Sequence, residues 1–82
     1  MTARVAPGAL LGWAEGRAAV TWARQARAAA GLRQQDLAAV LGVSATWVVL
    51  RETGATRMTD GEVTAIAGAL RIPVPDLTGG AG

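Results

Sequence analysis

The stretch Gln34-Gln35-Asp36-Leu37-Ala38-Ala39-Val40-Leu41-Gly42-Val43-Ser44 decides the fold. Leu37, Ala38 and Leu41 stand at i, i+1 and i+4, so residues 34–41 predict a short helix with one apolar stripe. Gly42 ends it, because glycine tolerates the positive φ of a tight turn. Ser44 predicts the start of a further helix over 45–52, since its hydroxyl can satisfy an orphan N–H of the first turn. Ala38 is small where that helix has to cross, and Val43 is placed to plug the angle between the two. Val48 falls on the inward side, and Gly54 stops the second helix.

Upstream, alanine and arginine make residues 18–30 a firm helix, closed by Gly31. Ala19, Ala23, Ala26 and Ala30 follow helical spacing and are expected to face inward, with Trp22 filling space beside them. Residues 1–6 read as a disordered start, and Pro7 is able to open a helix. Residues 9–17 are helix-capable but weakened by Gly8, Gly12 and Gly16, with Leu10, Leu11 and Trp13 as apolar content. An arm, an extra helix and a dimer contact are all open for this segment. Downstream, Thr59 and Glu62 form a T-x-x-E capping box. A helix over 60–70 follows, with Val63, Ile66, Ala67 and Leu70 inward, and Pro73 prevents its continuation. Pro75, Asp76 and Leu77 are candidates for a last helical turn. The expected organisation is all-α with four to five helices: an arm or extra helix over 1–17, one domain over 18–78 and a flexible tail over 79–82.

Composition narrows the chemistry. The chain has neither cysteine nor histidine, which removes disulfides, thiolate metal sites, the commonest zinc ligand and the commonest general base. Neither an enzyme, a cofactor nor a metal is expected. Glu52 and Asp60 are carboxylates without a nucleophile or histidine to work with. All eight basic residues are arginines, suited to bidentate phosphate and guanine contacts, against six acidic residues for a net charge of +2. That small excess is compatible with nucleic-acid binding without arguing for it; placement matters more. No apolar run approaches the length of a membrane span, and Glu15 and Arg17 cut short any signal-peptide-like stretch, so the cytoplasm is expected.

In order and spacing, residues 24–77 resemble the Xre/Cro/lambda-repressor-like helix-turn-helix family. The similar pieces are Arg27-Ala28-Ala29-Ala30-Gly31-Leu32, Gln34-Gln35-Asp36-Leu37-Ala38, Leu41-Gly42-Val43-Ser44, Glu52-Thr53-Gly54 and Ile66-Ala67-Gly68-Ala69-Leu70-Arg71-Ile72-Pro73. The resemblance implies a lambda-repressor-like DNA-binding domain that controls transcription as a repressor of phage or phage-like type, acting as a homodimer on double-stranded DNA. It implies that the helix opened by Ala45, Thr46 and Trp47, and continued by Val49 and Leu50, meets base edges. It implies phosphate contacts from Arg33, Gln34, Gln35, Thr56 and Arg57, with Gln34 also bracing the recognition helix.

Three positions depart from the family pattern. Ala45, Thr46, Val49 and Leu50 offer thymine-methyl contacts and one hydroxyl, where hydrogen-bonding side chains are usual. Arg51 stands where an aliphatic residue is usual, so it is expected to snorkel or to pair with Glu52 or Asp60. Arg33 replaces the usual Ser or Thr cap of the second helix. The apolar face keeps a second function open: a protein-interaction module, antitoxin, anti-repressor or inhibitor, anchored by Trp47, Val49 and Leu50. Arg24 and Arg27 are expected to be solvated.

Overall fold

The computed structural model describes residues 8–77. The expected disordered start, the helix-opening role of Pro7 and the 79–82 tail lie outside them. Four helices make up the described chain: α1 (Trp13–Ala29), α2 (Gln34–Leu41), α3 (Ala45–Glu52) and α4 (Asp60–Leu70). α2, α3 and α4 have the bounds their caps predict. Residues 75–77 form no fifth helix among the described residues.

α1 corrects the sequence reading at both ends. It begins at Trp13, so residues 13–17 belong to the first helix and not to a separate arm. Gly12 takes the extended N-cap conformation, and Glu15 places a carboxylate in the first turn, where the helix dipole favours it. Gly16 is buried beneath the aliphatic stem of Arg57, so this glycine serves packing where only a loss of helix propensity was expected. At the other end Ala30 is the C-cap and is exposed, and Ala26 is half-buried; only Ala19 and Ala23 of the expected stripe enter the core.

Residues 9–12 are not helical. Leu10 and Thr59 form an isolated antiparallel bridge, with Leu11 N–H donating to Met58 O at 3.1 Å and Asp60 N–H to Ala9 O at 3.0 Å. Gly8 is required there: a Cβ would come within 2.9 Å of the Gly61 backbone nitrogen. The N-terminal strap thus ties down the entry to α4.

The core is small and built from all four helices: Ala19 and Ala23 of α1, Leu37, Ala38 and Leu41 of α2, Val48 of α3, Val63, Ile66 and Ala67 of α4, and Met58 from the loop. Alanines on α1 let its neighbours approach closely, and Trp22, Val43, Trp47 and Leu70 pack around this centre as half-buried residues. Both predicted turn devices are present. Gly42 has φ 74°, and Val43 N–H donates to Ala38 O at 3.0 Å, closing α2. Ser44 Oγ accepts from Trp47 N–H at 3.1 Å, opening α3. Thr59 and Glu62 form the reciprocal capping box of α4, each side chain accepting the other's backbone N–H, at 3.1 and 3.0 Å.

Candidate nucleic-acid interface

α2 and α3 are the pair set by the Gly42–Ser44 turn, and the first turn of α3 is the part expected to meet DNA. Ala45 and Thr46 are both exposed, and Leu50, one turn further on, is 37 % exposed. Val49 is half-buried and contributes less to this face than expected. Trp47 is also half-buried: its ring packs against the core and carries the Arg51 guanidinium 4.1 Å from its centroid. Of the five residues expected to meet bases, three stand open and two are partly committed to packing.

A second group holds α3 from behind. Glu52, the last residue of α3, is 4 % exposed and accepts from Arg27 of α1 at 2.7 Å (Nε) and 2.9 Å (Nη2). Gln34, the first residue of α2, donates its Nε2 to Glu52 Oε1 at 3.2 Å, and Arg27 Nη1 reaches Leu32 O at 2.8 Å. One carboxylate thereby joins α1, α2 and α3, and Gln34 braces α3 as the family pattern implies. Hydrogen bonding to the Glu52 carboxylate raises the Arg27 pKa above its ordinary value, against the opposing effect of burial. Arg27 is therefore a structural cation and not the solvated residue expected; its partner lies 25 residues away in sequence, which composition and periodicity do not reveal.

Arg51 also finds a partner other than the expected ones. Its guanidinium meets Glu62 on α4 at 3.2 and 3.4 Å, and the pair is largely buried. Glu52 is occupied by Arg27, which is why it does not serve Arg51. Glu62 satisfies the guanidinium and the Thr59 N–H together.

The expected phosphate contacts fall into two groups. Arg33 and Gln35 are exposed at the start of α2, and Gln34 is half-buried beside them. The Arg33 backbone N–H and guanidinium both donate to Asp36, at 2.9, 3.1 and 3.3 Å. This gives half of a capping box: arginine has no acceptor to offer in return. Hydrogen bonding from Arg33 holds the Asp36 carboxyl below the usual range and raises the Arg33 pKa. Thr56 and Arg57 follow α3 and are both half-buried. Arg57 Nη1 donates to Leu11 O at 3.0 Å, and its guanidinium lies 4.4 Å from the centre of the Trp13 ring. That side chain secures the N-terminal strap, a role the sequence reading missed because Leu11 is 46 residues distant. Arg24 is exposed, as expected, and makes no ion pair among the described residues; with Arg27, Gln34, Glu52 and Thr53 it lines an open cleft.

A short helix, a left-handed glycine turn and a capped, exposed second helix braced from two sides define a helix-turn-helix domain, the DNA-binding class. Residues 21–78, well over half of the chain, match the profile of a family described as a helix-turn-helix domain, and the chain belongs to it. The comparison with curated proteins gave no match, nor did that with solved structures. Among the described residues no helix is long and apolar enough to cross a membrane, and no cluster of acidic residues is arranged to hold a metal ion.

Proposed function

We propose that this protein is a sequence-specific transcriptional regulator of the Xre/Cro/lambda-repressor-like type, a repressor that binds two-fold DNA sites as a homodimer in the cytoplasm. The observation that carries the reading is the first turn of α3: capped by Ser44, exposed at Ala45 and Thr46, and backed by the Glu52 junction. Such a turn fits the major groove, where Thr46 supplies one hydroxyl and Ala45 and Leu50 supply methyl contacts for thymine. Affinity comes from the basic rim: Arg24, Arg33 and the α2 start with Gln34 and Gln35, together with the Arg57 guanidinium and the Thr56 hydroxyl. DNA shape supplies the selectivity that few base hydrogen bonds leave open. The domain unit is residues 18–78 extended at its front by the first turn of α1.

The experiment is enrichment of purified protein on randomised duplex DNA over rounds of selection. Emergence of a near-palindromic site, with half-sites about one turn or ~34 Å apart, supports the reading. A pool that remains random after selection contradicts it.

The exposed Leu50 favours one competing reading, a protein-interaction module using Leu50 with Trp47 and Val49. Leu50→Asp separates the two: loss of a protein complex with DNA enrichment intact favours the module.

A further inference from the structure

We propose that Arg51 is a positioning residue for DNA discrimination, fixing the first turn of α3 through Trp47. The inference rests on the DNA-binding reading above and goes further by assigning a role to a residue outside the groove-facing set.

Trp47 is the pivot of that turn. Its backbone N–H is held by Ser44 Oγ at 3.1 Å, and its ring lies under Arg51, one helical turn later, at 4.1 Å. Arg51 is held in turn by Glu62 at 3.2 and 3.4 Å, and Glu62 Oε1 accepts the Thr59 N–H at 3.0 Å. The Arg51–Glu62 link is largely removed from solvent, its side chains 15 % and 11 % exposed, while the Ser44 cap lies at the surface. A continuous relay therefore runs from the N-terminal cap of α4, through Arg51, to the turn bearing Ala45 and Thr46.

The arrangement matters because the exposed residues carry little information. A hydroxyl and a few methyl groups discriminate only if they are held in one place, whereas long hydrogen-bonding side chains adjust to small errors of placement. Stacking on an indole demands a planar cation, and a two-point meeting with a carboxylate demands a forked one; arginine alone meets both demands. An aliphatic residue at 51 would leave Glu62 buried without its cation. Lysine keeps the charge and a single contact to Glu62 and loses the flat stack.

Arg51→Lys is accordingly the test, with wild type alongside. In wild type the Arg51 Cδ–H and Nε–H protons are expected to resonate upfield, shifted by the indole ring current. Unshifted protons would overturn the inference. The discriminating readout is the ratio of affinities for the selected duplex and a scrambled one. For Arg51→Lys the ratio is expected to fall on the order of tenfold while scrambled-duplex affinity holds, since net charge is unchanged. Glu62→Gln, which retains the Thr59 cap acceptor, is expected to lower the ratio in the same direction. A merely structural role would lower both affinities together or neither, and either outcome overturns the inference alone. Failure of wild type to bind any duplex overturns the DNA-binding reading and takes this inference with it.

Discussion

Glu52 shows what one residue contributes when three helices converge on it. It accepts two bonds from Arg27 and one from Gln34, and it is almost wholly buried. Removing one partner of such a pair leaves the other charge poorly solvated, so Glu52→Ala is expected to lower unfolding free energy by about 3 kcal/mol in urea titrations. A loss under about 0.5 kcal/mol, the scale of an ordinary surface substitution, would mean that the junction is held by packing alone. Asp36 provides a second residue-scale test. Its folded pKa is lowered by Arg33, so its contribution is present above the unfolded value of about 3.9 and is lost as pH falls through the lower folded value. Its carboxyl carbon is expected to titrate below about 3.9, and Arg33→Ala is expected to move the midpoint upward. A midpoint that ignores Arg33 would contradict the pairing. Residues whose role depends on their neighbours in sequence were legible: Gly42, Ser44, Val48, Thr59 and Glu62. Those whose role depends on a distant partner were not. Arg27 read as a solvated cation and Arg51 as one that snorkels or pairs with Glu52 or Asp60, and only the crossing of α1, α3 and α4 assigns them Glu52 and Glu62.

At the scale of the element, caps do much to set where helices begin. Ser44→Ala removes the side-chain acceptor at the start of α3 and is expected to cost about 1 kcal/mol, read as a shift of the urea midpoint at unchanged slope. α4 ends on Arg71 at φ 57°, a left-handed residue that is not glycine. Arg71→Gly is therefore expected to raise stability by up to about 1 kcal/mol, and a drop would show that the arginine side chain is needed there. α2 was legible from its apolar stripe and Gly42, α3 from Ser44 and Gly54, and α4 from the Thr59–Glu62 box and Pro73. The start of α1 was not. Gly12 and Gly16 argue against helix on propensity, and the compensation comes from burial of Gly16 beneath Arg57, a tertiary contact. The extended strap over residues 9–11 was hidden for the same reason: its partners are Met58 and Asp60, far along the chain.

At the scale of the molecule, a core of alanines, one methionine and a few aliphatics is modest, and polar junctions share the work of fixing helix geometry. Met58 illustrates the limit of periodicity: it is 1 % exposed yet sits in the loop between α3 and α4, on no helical stripe. The exposed first turn of α3, by contrast, was legible in outline, because it follows from the cap and from the inward Val48. What sequence did not disclose is that Trp47 and Val49 turn partly inward, leaving Ala45, Thr46 and Leu50 as the open positions. The measurement that tests the central claim most directly is a titration of isotope-labelled protein with duplex DNA, followed by backbone amide shifts. The account predicts perturbations concentrated at residues 24, 33–35, 44–46, 50 and 56–57, weakening steeply as salt is raised. Shifts confined to other surfaces, or none at low salt, would contradict it.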